Sequence, residues 1–120
     1  MSLAQLTATD AVRAIRAGEI TSEDLVRDCL QRIADVEGQV QAWAFLDPDH
    51  ALTQARTADA ATRAGQPRGA LHGVPVGIKD IFDTGDMPTE FGTSLHAGRR
   101  PNSDATAVSL LREAGAVVMG

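Results

Sequence analysis

The chain has 120 residues, of which 43% are hydrophobic and 22% charged, a composition typical of one modest globular domain or of a piece of a larger one. Its net charge of −5 argues against electrostatic capture of nucleic acid or of an anionic membrane surface. The N-terminus has no signal-peptide pattern, no apolar run is long enough to span a bilayer, and the single Cys29 excludes an internal disulfide, so we expect a cytoplasmic protein.

Two amphipathic helices are predicted in the first 40 residues. Thr7 is expected to cap the first helix and Gly18 to stop it. Thr21 is expected to cap the second helix, and Gly38 to end it. Cys29 lies on the apolar face of this second helix, which favours a small buried side chain over a nucleophile. Each helix has one apolar stripe and therefore needs a partner to pack against.

A third helix is predicted after a short apolar segment. Residues 40–47 favour either a strand or an extended packing segment. Asp47 and Pro48 then have the residue types preferred at the N-cap and the first helical position. The predicted helix runs to Gly65, and its alanine-rich face permits close approach to a neighbouring backbone.

The last third of the chain predicts a strand, a long loop, a helix and a second strand. Residues 74–80 are apolar on both faces, which is typical of strands in parallel or mixed sheets covered by helices. Residues 84–100 form a loop long enough to be functional or to face a ligand. Asn102 or Ser103 is predicted to cap the last helix, and residues 116–120 predict a second buried strand. A strand–helix–strand unit closes into a sheet with more neighbours, so we expect a chain that is cut rather than finished.

Lys79 is the only lysine among eleven basic residues. Arginine keeps its proton in proteins, whereas a desolvated lysine can lose it and act as a base. A lysine starts from a pKa of about 10.4 and a general base near neutrality needs about 7 to 8, a shift that costs about 4 kcal/mol. An apolar strand could supply that desolvation. Two other interpretations stay open at this point: Lys79 extends to water or pairs with Asp80 or Asp83, and an arginine bias explains the lack of other lysines.

Other patterns give weaker signals, and no metal or cofactor is expected. The three histidines have no metal-ligand spacing, and the aspartates of residues 79–86 lack the terminal glutamate of a calcium loop. No dinucleotide fingerprint and no GxSxG motif occurs. His72, beside Gly73, favours a structural hydrogen bond. Met87, Phe91 and Leu95 could line one wall of a substrate pocket, although ordinary loop packing is the simpler interpretation.

Residues 69–93, GALHGVPVGIKDIFDTGDMPTEFGT, resemble the amidase signature family. In that family a strand of the type lhGvPv-vKD carries a catalytic lysine, and a proline, an Asp-Ala pair and an Ala-Gly-Ala segment follow. The corresponding positions here are Pro101, Asp104–Ala105 and Ala114–Gly115–Ala116. The resemblance covers nearly the whole chain.

The resemblance implies the N-terminal part of an α/β amidase-signature domain, with amphipathic helices packed on the first strands of a mixed sheet that is incomplete in this chain. Residues 1–66 would form the helical region, and residues 67–120 the lysine strand, loop, helix and strand. The family hydrolyses carboxamide C–N bonds with a Ser–cis-Ser–Lys triad, whose lysine corresponds to Lys79. Both serines lie downstream of the Ala-Gly-Ala segment in the family, so none is assigned here and we expect no activity from this chain alone.

The implied partners are a small-molecule amide and the C-terminal remainder of the domain, supplied in cis or in trans. Three interpretations therefore remain: a part of one amidase, a split enzyme completed by a second polypeptide, and a non-catalytic binding module that retains the N-terminal fold. The family includes general amidases and the amidating subunit of tRNA-dependent transamidation. That subunit usually has asparagine two positions after the Lys-Asp pair, where this chain has Phe82, which favours a general amidase.

Overall fold

The protein is α/β and rich in helix, as the sequence predicts. A computed structural model describes all 120 residues, with four α-helices and two short strands. Short 3₁₀ turns occur at Leu3–Gln5 and Ser94–His96. The elements in chain order are α1 (Ala8–Arg16), α2 (Ser22–Val40), α3 (Pro48–Arg63), β1 (Pro75–Val76), α4 (Thr106–Glu113) and β2 (Val117–Val118). None of these helices combines the length and the apolar character needed to cross a membrane.

The first three helices begin where the sequence predicts. Thr7, Thr21 and Asp47 each accept a hydrogen bond from the backbone N–H three residues later, at 3.0 or 3.1 Å. Pro48 occupies the first turn of α3, where its missing N–H costs nothing. These caps satisfy N–H groups that have no partner inside the helix.

The predicted end of α2 is wrong by two residues. The helix passes through Gly38 and ends at Val40, and Gln41 then takes the left-handed conformation with φ of 52°. Glycine inside a helix costs only about 1 kcal/mol relative to alanine. The Glu37 carboxylate holds the chain after the turn, because it accepts a hydrogen bond from the Trp43 N–H at 2.9 Å.

The predicted cap of α4 is also wrong. Ala105 is the N-cap residue and makes no side-chain hydrogen bond, while Asn102 and Ser103 are exposed. The Asp104 carboxylate accepts a hydrogen bond from the Gly85 N–H at 2.8 Å and so fastens the long loop rather than the helix. Asp104 therefore binds a backbone group 19 residues earlier in the chain, and α4 begins two residues after it.

The two strands are parallel neighbours, but each is shorter than predicted. Pro75 pairs with Val117, and Val76 pairs with Val118. Single hydrogen bonds continue the contact past the strands, such as the one from the Ile78 N–H to the carbonyl of Gly120 at 2.8 Å. β2 is fully buried, whereas β1 is only half-buried, so only β2 has the two covered faces that were predicted for both. Residues 42–47 form no strand, and Trp43 and Leu46 of this segment pack against the buried core.

The core consists of two clusters that meet at α2. One cluster joins α2 and α3 to β2, and the other joins α1 and α2 to the start of the lysine segment. On the alanine face of α3, Ala51 and Ala55 are fully buried and Ala58 is partly exposed. Cys29 contacts both clusters. The fully buried members are Val26, Ala51, Ala55, Val117 and Met119 in the first cluster, and Ala11, Ile15, Leu25 and Val74 in the second.

Candidate functional site

Lys79 lies three residues after β1, in a tight turn at the rim of a cleft. Its carbonyl accepts hydrogen bonds from the N–H groups of Ile81 (2.7 Å) and Phe82 (3.1 Å), which closes the turn. The cleft has a volume of about 210 Å³ and lies between residues 42–45, this turn and residues 84–89. The Lys79 side chain is exposed, so the apolar segment before it does not by itself remove the amine from water.

Asp80, the next residue, holds the long loop rather than the lysine. Its two carboxylate oxygens accept hydrogen bonds from the N–H of Glu90 at 2.9 Å and of Gly92 at 3.3 Å. Between these residues Phe91 has φ of 58°, a left-handed conformation that is unusual for a bulky side chain. The carboxylate therefore fixes a bend of the loop directly beside Lys79.

Asp83 is also committed to the loop. It forms a two-pronged ion pair with Arg99, with nitrogen–oxygen distances of 2.8 and 3.2 Å. Hydrogen bonding from Arg99 lowers the pKa of Asp83 and in turn raises the pKa of the guanidinium. Arg99 also donates to the carbonyl of Thr89 and lies 4.7 Å from the ring centre of Phe91. With both aspartates engaged in this way, the predicted alternative of a Lys79 ion pair is not observed.

Trp43 lines the cleft. A Cβ atom at Gly77 would lie 2.9 Å from the indole Cη2, and one at Gly120 would lie 3.0 Å from the same ring system. The two glycines therefore allow the indole to pack directly on the backbone that leaves both strands. The sequence did not predict a role for Trp43 at the cleft. The one available signal was that Trp43 is the only tryptophan of the chain.

A small buried group of hydroxyls forms the floor. The hydroxyl oxygens of Thr84 and Thr89 are 3.2 Å apart, and Thr89 donates to the carbonyl of Phe82. Met87, which is 2% exposed, lines the cleft beside them, as one interpretation predicted. Leu95 is 89% exposed and lies outside the cleft, so that interpretation does not hold for the distal part of the loop.

His72 has a structural place, as predicted. It is 1% exposed, its Nδ1 accepts a hydrogen bond from the Arg68 N–H at 2.9 Å, and its Nε2 lies 2.7 Å from the Thr62 hydroxyl. Burial, reinforced by the positive charge of Arg16, lowers the pKa of His72 and favours the neutral ring. Neutral histidine with Nε2 protonated satisfies both contacts.

Cys29 and the remaining polar groups do not form a second reactive centre. Burial, aided by the negative charge of Asp28, raises the pKa of the half-buried Cys29 thiol and disfavours the nucleophilic thiolate. No three His, Cys, Asp or Glu side chains come together in a way that could hold a metal ion. The buried Ser22 hydroxyl donates to the carbonyl of Gly73 at 2.6 Å.

Comparison with known proteins assigns the chain to a family. The sequence profile described as Amidase matches residues 24–120, which is most of the chain. The chain belongs to the amidase family. The resemblance noted in the lysine segment is thereby confirmed.

The relatives of this amidase-family chain include proteins with different roles. AmiD of Mycobacterium tuberculosis, which is named as a putative amidase, is 41% identical over 99% of the chain and 25% of its own length. A glutamyl-tRNA(Gln) amidotransferase subunit of Chloroflexus aggregans is 43% identical over 96% of the chain and 24% of its own length. The chain thus spans about a quarter of the length of the curated relatives it matches.

Solved amidase-family structures have the same fold over this region. The peptide amidase of Stenotrophomonas maltophilia is 39% identical, with a TM-score of 0.90 over 98% of this chain and 24% of that one. A fatty acid amide hydrolase is 28% identical, with a TM-score of 0.90 over 98% of this chain and 21% of that one. These neighbours support the arrangement of helices around the two strands.

Proposed function

We propose that residues 1–120 are the N-terminal part of a single amidase domain that hydrolyses carboxamide C–N bonds, with Lys79 as the proton-accepting base. Residues 1–66 form its helical region, and residues 67–120 carry the lysine segment, loop, helix and second strand. One observation carries the proposal: the only lysine lies at the rim of the cleft, while the neighbouring aspartates bind the loop. Family membership and the greater length of the relatives support it.

In the proposed reaction the neutral Lys79 amine takes a proton from the hydroxyl of a bridging serine. That serine takes the proton of the nucleophilic serine, whose oxygen attacks the carbonyl carbon of the amide. Backbone N–H groups stabilise the negative oxygen of the tetrahedral intermediate. Its collapse breaks the C–N bond, and the proton passes to the leaving nitrogen. Water then cleaves the acyl-enzyme ester and frees the acid. Both serines belong to polypeptide outside these 120 residues.

The cleft supplies part of the environment that such a base requires. A neutral amine needs protection from water, and in this chain the Lys79 side chain is exposed. Trp43 and Met87 already provide apolar walls beside it. We infer that the remainder of the domain covers the open side of the rim, which completes the desolvation and delivers the serines.

A chimera tests this proposal. The chain replaces the matched quarter of the Stenotrophomonas peptide amidase, and ammonia release from a peptide amide gives kcat/KM. Lys79→Met and Lys79→Arg are each expected to reduce kcat/KM by at least about a thousandfold, because a triad acts as a unit. Arg100→Met, which removes an exposed cation of the loop, is the matched control and is expected to retain activity.

Lys79→Arg is the more informative substitution because it keeps a long basic side chain at this position but removes its capacity to become neutral. A chimera that keeps its turnover with arginine at this position refutes the assignment of Lys79 as the base. The isolated chain is expected to show no amide hydrolysis. A non-catalytic module instead predicts that Lys79→Met changes no measurable property.

A split enzyme is the variant of this proposal in which a second polypeptide supplies the remainder. Co-expression of the chain with the rest of the peptide amidase as a separate polypeptide is expected to restore hydrolysis that depends on Lys79.

AmiD and the amidotransferase protein match the chain at similar identity, so the substrate is proposed only as a carboxamide. Phe82, two positions after Asp80, favours a general amidase.

A further inference from the structure

We propose that Asp86 is a positioning residue for the proposed reaction, because its carboxylate, held between α3 and α4, keeps Met87 in place as an apolar wall beside Lys79. The inference rests on the proposed function, since it takes Lys79 to be the base. Asp86 does not line the cleft itself. Its effect on the reaction therefore passes through Met87, the next residue in the chain.

Both carboxylate oxygens of Asp86 are engaged, each by a different helix. Oδ2 lies 2.7 Å from Nε2 of His50, in the first turn of α3. Oδ1 accepts a hydrogen bond from a terminal guanidinium nitrogen of Arg112, near the end of α4, at 2.7 Å. An isolated ion pair at partly exposed side chains contributes little to stability. A carboxylate that joins two helices at once, however, restricts the position of the residue that carries it.

A second carboxylate reinforces this anchor through the same arginine. Nε of Arg112 donates to Oδ2 of Asp104 at 2.9 Å, and the other oxygen of Asp104 accepts from the Gly85 N–H at 2.8 Å. Arg112 thus connects the two carboxylates that hold the consecutive residues Gly85 and Asp86. Ion pairs near a surface matter most when several charges form such a network. The chain is therefore fixed by three contacts immediately before Met87.

Met87 has only weak local bonds of its own to hold it. Its backbone nitrogen lies 3.5 Å from the Thr84 carbonyl oxygen, and its carbonyl accepts from the Thr84 hydroxyl at 3.2 Å. Met87 is 2% exposed and lines the cleft, yet a methionine side chain has three rotatable bonds and adapts easily to its surroundings. The anchor at Gly85 and Asp86 therefore sets how closely this side chain packs beside Lys79.

The packing of Met87 matters because a lysine amine loses its proton near neutral pH only where water is excluded. Lys79 and Asp80 are the only charged residues that line the cleft, and the Asp80 carboxylate is bound to the loop. Met87 and Trp43 are thus the apolar surfaces with which this chain keeps water from the amine. A loosened wall admits water, favours the charged amine and so weakens the base at neutral pH.

The pH dependence of the peptide amidase chimera tests the inference, since that protein contains all of these residues. kcat/KM for ammonia release is measured from about pH 6 to about pH 10. Asp86→Ala is expected to lower kcat/KM about tenfold at neutral pH and to approach the parent at the alkaline end, because the wetter amine loses its proton about one pH unit later. Met87→Ala is expected to shift the acid limb of the profile in the same direction. Asp49→Ala, which removes an exposed carboxylate next to His50, is the control and should leave the profile unchanged.

The shape of the profile decides between positioning and mere support of the fold. If Asp86→Ala lowers kcat/KM by the same factor at every pH, the residue affects only the amount of folded enzyme and the inference is overturned. A profile that matches the parent overturns it as well, and so does an unshifted acid limb in Met87→Ala. These three results leave the proposed function intact, provided that Lys79→Arg abolishes turnover.

Two further variants keep the test decisive. Asp86→Asn retains the shape of the side chain and one accepting oxygen, so it carries the comparison if Asp86→Ala does not fold. Its acid limb is expected to shift in the same direction by a smaller amount, and an unshifted limb counts against the inference. Turnover that survives Lys79→Arg overturns the proposed function together with the inference, and that result is read from the lysine variant alone.

Discussion

The carboxylate of Asp59 on α3 accepts a hydrogen bond from the backbone N–H of Ser22, the first residue of α2, at 2.7 Å. Its second oxygen accepts from the Glu23 N–H at 3.0 Å. The Ser22 hydroxyl in turn donates to the Gly73 carbonyl, just before β1. The buried carboxylate therefore ties α3 to α2 and satisfies free N–H groups at the N-terminus of α2, and the Ser22 hydroxyl extends this link to the start of the lysine segment.

Asp59→Ala is expected to lower the free energy of unfolding by about 2 to 3 kcal/mol, because it leaves buried N–H groups without an acceptor. Asp59→Asn keeps one accepting oxygen and is expected to cost less. Urea unfolding followed by circular dichroism measures both. Asp35→Ala, at an exposed position of α2, is the control and is expected to stay within about 0.5 kcal/mol of the parent. Equal effects of Asp59→Ala and Asp35→Ala would contradict this role of the buried carboxylate.

The hydrogen bonds from two loop N–H groups to the Asp80 carboxylate, called here the Asp80 clamp, lead to a second prediction. Asp80→Ala is expected to accelerate amide exchange at Glu90 and Gly92 by about tenfold or more, because both N–H groups lose their acceptor. Exchange in α1 should not change. Glu113→Ala removes an exposed carboxylate of α4 and serves as the control. If the loop amides of Asp80→Ala exchange as in the parent, the clamp does not hold the loop in solution.

Substitutions at two glycines with positive φ, one crowded and one open, allow the effect of steric crowding to be distinguished from that of backbone strain. Gly115 has φ of 91°, and a Cβ atom there would overlap the Arg68 carbonyl and lie 2.9 Å from the Cα of His72. Gly18 has φ of 71° and no atom within 4 Å of the same position. Gly18→Ala is expected to cost about 1 to 2 kcal/mol from strain alone. Gly115→Ala adds the clash with fixed backbone, so its Tm should fall much further; similar Tm values for the two variants would argue against the close approach.

The buried His72 makes stability depend on pH. Its folded-state pKa lies below the ordinary value because of burial and the charge of Arg16, so the unfolded chain binds the proton first as the pH falls. The contribution of the neutral His72 to the free energy of unfolding is complete above a pH of about 6.5. It is lost progressively as the pH falls below that value toward the lowered folded-state pKa. The free energy of unfolding of His72→Gln is expected to vary less with pH in this interval than that of the parent. A parent and variant with parallel pH profiles would exclude this linkage.

Several features follow from the sequence alone because the interactions behind them are local. Each predicted helix cap at Thr7, Thr21 and Asp47 joins atoms three residues apart, so the choice of residue determines where the helix begins. The motif of residues 69–93 identified the family. The single lysine, Lys79, was selected from the sequence as a candidate base, and the structure places it at the rim of the cleft. The alanine spacing of α3 likewise predicted its closely packed face.

Other features were decided only by the tertiary structure, because their partners are far apart in the chain. Asp80 and Asp83 could have paired with the adjacent Lys79, yet they bind groups 10 and 16 residues away. Gln54 looks like an ordinary polar helix residue until the fold brings it beside Val118, 64 residues later, where it closes one edge of the sheet. Residue types predict which hydrogen bonds a side chain can make, whereas the packed arrangement of the backbone selects which of them forms.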